Sequence, residues 1–161
     1  MEPGRAIALA TTSLMQIARK SRGNPAKLPI MDTSLVSQIV NALRVVAPLE
    51  LAVVFGSVAR SEARADSDLD VAVRYAKPLD VRQKLAVIEA LADVTGRTID
   101  LIDFRTAGPI VAREALTSGK RIFGTDEIWA SQTARTLIDY ADFAPLIERT
   151  LRERREAWMR T

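Results

Sequence analysis

Five residues within a 45-residue stretch have the makings of a reaction centre. Asp68 and Asp70 stand two apart in "SDLDVAVRY" (67–75), Asp100 lies in "RTIDLIDF" (97–104), and Gly56-Ser57 follows the apolar run "LELAVVF" (49–55). In a strand, side chains alternate between faces, so Asp68 and Asp70 project from one side, about 7 Å apart along the chain. Carboxylates this close repel, and are tolerated when a cation lies between them or one is protonated. Mg2+ suits such a pair: it takes oxygen ligands, often only one or two carboxylates, and completes its octahedron with water and substrate phosphate. Asp100 supplies a third carboxylate if its strand lies beside the second. Asp103 has the opposite parity and ranks below it. Gly56-Ser57 offers the complement, because glycine admits a ligand close to the backbone and a helix opened by Ser57 turns N–H groups and a hydroxyl toward an anion. Metal-binding acids beside phosphate donors suit phosphoryl or nucleotidyl transfer by in-line displacement. An Asp-x-Asp alone is most often a turn, and Gly-Ser after a strand usually is too; the combination carries the signal. Arg60 and Arg64 are either phosphate partners or solvated loop charges, and Arg60 is the one assigned to nucleotide binding.

Composition narrows the chemistry. The chain of 161 residues has no histidine and no cysteine, which excludes an imidazole base, a thiolate metal site and any disulfide. Lack of cysteine fits a reducing compartment, and a cytoplasmic location is the expectation. No apolar run reaches membrane-spanning length. The formal charge of +3 is unevenly placed: residues 1–30 carry Arg5, Arg19, Lys20, Arg22 and Lys27 against Glu2, a net of +4, which leaves −1 for residues 31–161. Nucleic-acid binding by the body of the chain is therefore not expected.

The elements that must position these residues read as an α/β (α+β) pattern. "DTSLVSQIVNALRVVAP" predicts a helix capped by Asp32 or Thr33, with Val36, Ile39, Val40 and Leu43 at helical spacing. Residues 49–55 predict a buried strand, residues 57–64 the first turns of a helix, and residues 67–75 a strand with Leu69, Val71 and Val73 on one face and Asp68, Asp70 and Ala72 on the other. A helix capped by Asp80 and closed by Gly96 follows, with an expected buried stripe of Val81, Leu85, Ile88 and Leu91. A third strand over 97–104 sets Thr98, Asp100 and Ile102 on one face. A helix with Pro109 early and Gly119 past its end, a short edge strand "KRIFG" and a helical tail from Thr125, divided into two helices at Pro145, complete the pattern. The expected organisation is a flexible basic extension over 1–30, a catalytic core over 31–124 and a C-terminal helical tail over 125–161 packed on the core.

Gly56-Ser57, ten residues, Asp68-Leu69-Asp70, then Asp100 in "TIDLID" resembles the GS-x10-DxD signature of the polymerase-β nucleotidyltransferase superfamily. "VVFGSVARSEARADSDLDVAV" is similar more narrowly to the minimal nucleotidyltransferases, and "REALTSGKRIF" and "YADFAPLIERTLRERR" resemble the tail of the MntA-type antitoxins, so the likeness spans roughly residues 33–155. The resemblance implies a polymerase-β-like fold, a small mixed sheet flanked by helices, and a HEPN-domain ribonuclease toxin as partner. It also implies that ATP and Mg2+ are used to transfer AMP to a toxin tyrosine and silence it. Carried over, Asp68 and Asp70 ligate the metals that hold the ATP phosphates, Asp100 completes the metal site and helps activate the hydroxyl, and Gly56 and Ser57 grip the triphosphate. Ser61 departs from the family, which commonly has glycine there.

Three other readings stay open on the sequence: an aminoglycoside-type transferase, a nucleotidyltransferase acting on RNA ends, and an antitoxin that works by binding alone. The tail "FAPLIERTLRERREAW" pairs Glu148 with Arg152 and Arg149 with Glu153 at i,i+4 spacing. It reads either as a solvated final helix or as a docking helix ending in Trp158.

Overall fold

The computed structural model describes residues 33–59 and 67–159. The expected extension over 1–30, the Asp32 cap, and Arg60, Ser61 and Arg64 lie outside the described residues. Nine elements follow in order: α1 (Thr33–Leu43), β1 (Leu49–Phe55), α2 (Gly56–Ala59), β2 (Leu69–Tyr75), α3 (Val81–Thr95), β3 (Ile99–Asp103), α4 (Pro109–Ser118), β4 (Lys120–Phe123) and α5 (Asp126–Met159).

The strands form one mixed sheet in the order β3-β2-β1-β4. β1 pairs antiparallel with β2 and β4, while β2 pairs parallel with β3 through the crossover helix α3. Central β1 is covered on both faces, which explains its nearly unbroken apolar run. Its alternate residues feed two cores. Ala52 and Val54 join Val71 and Val73 beneath Ile39 and Leu43 of α1 and Val87 and Leu91 of α3. Leu51, Val53 and Phe55 meet Ala115 and Leu116 of α4 and Trp129 of α5 on the other side. The result is three layers, helices on both faces of the sheet.

α3 starts at a capping box: the Asp80 carboxylate accepts from the Gln83 backbone N–H at 2.8 Å, and the Asp80 N–H donates to the Gln83 side chain at 3.0 Å. Its buried face differs from the expected stripe. Val81 and Leu85 are 74% and 53% exposed, and Val87 and Leu91 carry the packing. Leu79, in the loop ahead of the helix, is the residue that enters this core there, while the first turn of α3 faces outward. The tail also differs. α5 is one helix of 34 residues with Pro145 inside it, not two. Proline removes one i→i−4 bond, but Ala141 and Ala144 before it and Leu146, Glu148 and Arg149 after it favour continuing the ladder.

At the end of the sheet where β1 starts, Glu50 accepts from Arg74 Nε at 2.9 Å and from Arg105 Nη2 at 3.1 Å, and Arg74 Nη1 donates to Gln132 of α5 at 3.2 Å. This network joins β1, β2, the loop after β3 and α5. A shallow groove lined by Arg44–Leu49 and Phe123 lies at the same end and contains no acid.

Candidate active site

The acids gather at the opposite end, where β1 finishes and β2 and β3 begin. Antiparallel pairing sets Phe55 opposite Asp70, and parallel pairing sets Asp70 beside Asp100. Side chains in register on neighbouring strands share a face, so Asp70 and Asp100 flank each other with backbones about 4.8 Å apart. Asp68 stands one residue before β2 and, two residues from Asp70, has the same parity. Asp68 and Asp100 are exposed, and Asp70 is half-buried. This is the face that carries Ala72 and Ile102 toward α4 and α5.

Gly56 closes this corner. The chain leaves β1 and enters the short helix α2 through Gly56 with φ +65°, a left-handed conformation that glycine adopts without strain. A Cβ placed on Gly56 would lie within the Asp70 carboxyl group, 2.8 Å from its Cγ. The Asp70 carboxylate therefore rests directly against the Gly56-Ser57 turn. Acid and turn, thirteen residues apart in sequence, form one corner because β1 and β2 are antiparallel neighbours. Ser57 is the second residue of α2, half-buried beside the acids. Arg60, assigned by sequence to nucleotide binding, falls outside the described residues.

Asp103 is placed elsewhere. It pairs with Val73, on the face of the α1–α3 core, and is 3% exposed. Its Oδ2 accepts from the Leu79 N–H at 2.8 Å and its Oδ1 from the Arg105 N–H at 2.9 Å. These bonds compensate its burial and tie the loop before α3 to the end of β3. Beside it, the Tyr75 hydroxyl donates to the Leu43 carbonyl at 2.5 Å. Burial, with a smaller contribution from the Asp103 charge, pushes the Tyr75 phenol up to about 12.

The donor set suits a hard divalent cation: carboxylate oxygens only, from two adjacent strands and the residue before one of them. Among the described residues no three His, Cys, Asp or Glu side chains are drawn to metal-ligating distance of one another. The β2–β3 register aligns Asp70 and Asp100 on one face, and Asp68 stands one residue before β2. Sequence reasoning missed two features, one at each end of the sheet. The Glu50–Arg74–Arg105 network has no spacing signature, and Arg97, whose guanidinium reaches Ser67, becomes visible only once the β2–β3 register is known.

Comparison with known proteins places this geometry. A family model described as polymerase beta, nucleotidyltransferase matches residues 37–128. The chain is 33% identical over 101 residues to the protein adenylyltransferase MntA of Shewanella oneidensis, covering 60% of this chain and 73% of that protein. A crystal structure of a toxin–antitoxin with AMP-PNP superposes with a TM-score of 0.66 at 27% identity, covering 72% of this chain and 98% of that one. A tri-AMPylated Shewanella oneidensis HEPN toxin in complex with its MNT antitoxin matches with a TM-score of 0.59 at 25% identity, covering 75% and 99% respectively. Among the described residues no helix is long and apolar enough to cross a membrane.

Proposed function

The chain belongs to the polymerase-β nucleotidyltransferase family, and on that premise we propose that it is an antitoxin that transfers AMP from ATP to a tyrosine of a cognate HEPN ribonuclease toxin and thereby neutralises it. The observation that carries this reading is the corner itself: the Asp70–Asp100 pair in register, with the Asp70 carboxyl lying against Gly56. The protein works in the cytoplasm, where ATP is available, and forms a hetero-oligomer with its toxin.

Asp68, Asp70 and Asp100 would hold Mg2+, which when bound neutralises phosphate charge and orients the triphosphate. Gly56 leaves the room in which the Asp70 carboxyl lies and, together with Ser57, grips the triphosphate. Ser57 donates its hydroxyl to a phosphate oxygen. Asp100, exposed at the rim, faces the incoming phenol and accepts its proton. The phenolic oxygen then bonds to the α-phosphorus, the bond from that phosphorus to the bridging oxygen breaks, and pyrophosphate leaves. Arg60 remains the proposed partner of the outer phosphates.

Co-expression with the partner toxin, followed by intact mass spectrometry, tests this. The toxin should gain the mass of one or more adenylates, and the gain should vanish in an Asp68→Asn, Asp70→Asn double variant. Survival of cells carrying that double variant at wild-type levels would instead show that binding alone neutralises the toxin.

A further inference from the structure

We propose that Arg97 is a positioning residue for Asp68: its guanidinium fixes the peptide in front of that aspartate and so sets where the carboxylate stands relative to Asp70 and Asp100. The inference rests on the metal-dependent adenylyl transfer proposed above and adds to it a residue outside the signature.

The anchoring of Arg97 begins in its own turn. α3 ends at Gly96 in the left-handed conformation, φ 64°, with the Gly96 N–H donating to the Ala92 carbonyl at 2.8 Å. The Thr95 hydroxyl donates to the Leu91 carbonyl at 2.7 Å and accepts from the Arg97 N–H at 3.3 Å. The Arg97 backbone is thus held through its N–H before its side chain leaves the turn. From there Nη1 donates to the Ser67 carbonyl at 2.9 Å. Extending the β2–β3 register backward from Leu69 and Ile99 sets Ser67 level with Arg97, so the guanidinium spans the two strands just before their ladder begins.

Asp68 sits between two ties. Before it, Arg97 holds the Ser67 carbonyl; after it, the Leu69 N–H donates to the Thr98 carbonyl at 2.9 Å. Asp70 and Asp100 lie inside paired strands, and Asp68 does not. It is exposed and adjoins the segment that enters from α2. A charged donor on the preceding carbonyl supplies a constraint that the ladder does not extend to this position, and a charge-assisted bond is stronger than a neutral one. A residue that orients a metal ligand without touching the metal is expected to tune affinity, typically by about 10–100-fold.

Two readouts on the full chain test the idea without using turnover. Mn2+ alone is titrated and free ion is followed by electron paramagnetic resonance, and amide hydrogen exchange is measured over residues 67–70. For Arg97→Ala, Mn2+ binding should weaken by roughly 10-fold or more, with faster exchange confined to this stretch. Arg97→Lys keeps one donor and should recover most of both, which keeps the test decisive if the alanine variant misfolds. Faster exchange with unchanged Mn2+ affinity would reduce Arg97 to a structural tie and overturn the proposal. Unchanged values in both readouts would do the same. A wild-type chain that binds no Mn2+ would sink the metal reading and this inference with it, a result distinct from wild-type and variant binding alike.

Discussion

Gly56 meets two separate demands, and either alone would select glycine. Its φ of +65° is costly for any residue with a side chain, and its missing Cβ is the space in which the Asp70 carboxyl lies. Gly56→Ala must therefore strain the backbone, displace Asp70, or both. The expected outcome is a fall of roughly 100-fold in the rate of toxin adenylylation, the scale of an ångström's misplacement of a reacting group. A loss of about 1–3 kcal/mol in stability should accompany it. Rate measurements with ATP and toxin, alongside thermal melts, separate the two, and wild-type turnover would show that Asp70 tolerates displacement. Much of this corner was legible in the sequence. Strand parity alone sets Asp68 and Asp70 on one face of their strand and Asp100 and Asp103 on opposite faces of theirs, because pleat alternation is local. Register was not legible: that Asp70 lies beside Asp100 depends on how far α3 carries the chain before β3 begins, which is decided by packing. The contact between Gly56 and Asp70, and that between Arg97 and Ser67, follow from register and were invisible for the same reason.

Elements were read well where a local signal coincides with the global one. β1 runs over the seven residues of its apolar stretch, and α3 starts and stops at Asp80 and Gly96, because capping is a matter of neighbouring residues. The reading failed at two positions. Leu79, just ahead of α3, joins the core at 7% exposed while Val81 stands 74% exposed, and Pro145 is absorbed into a helix that its flanking residues sustain. One bond shows how separate elements are joined: Tyr75, the last residue of β2, donates its hydroxyl to Leu43, the last residue of α1. The phenol is 1% exposed and its pKa is raised from 10.0 to about 12. Since the folded state holds this proton more tightly than the unfolded chain, the stabilisation is complete below pH 10 and is lost as pH climbs through 12. A shift of this size corresponds to at most about 2–3 kcal/mol. Tyr75→Phe should cost about 1 kcal/mol at neutral pH, since the Leu43 carbonyl loses its donor. It should also flatten the decline in stability between pH 10 and 12, as measured by urea unfolding across that range. An equally steep decline in the variant would assign the loss to other groups.

On the scale of the whole molecule, the catalytic corner and the far half of α5 make different demands on the chain. α5 has 34 residues and is roughly 51 Å long at about 1.5 Å per residue. Among its described side chains, those that are buried, Trp129, Gln132, Thr133 and Thr136, fall in the first third, and Arg113 stacks on the Tyr140 ring with 4.7 Å to its centroid. Beyond that point Phe143 is 36% exposed and Trp158 and Met159 are 83% and 70% exposed. The Arg149–Glu153 ion pair at 2.8 Å lies at the surface and adds little to stability. A helix end that exposes large apolar side chains such as Trp158 and Met159 suits a partner's surface. Ending the chain after Asp142 should therefore lower Tm by no more than roughly 2–4 °C, the equivalent of about 1 kcal/mol in a chain of this size. AMP-PNP binding, followed by calorimetry, should stay at its wild-type value, because Gly56, Asp68, Asp70 and Asp100 all lie on the sheet and its flanking turns. Toxin capture should weaken by about 10-fold or more, the loss expected when an aromatic anchor such as Trp158 is removed. If the shortened chain captures and modifies the toxin as well as the full one, the distal half of α5 is a solvated helix, and the toxin must be held by the faces of the core.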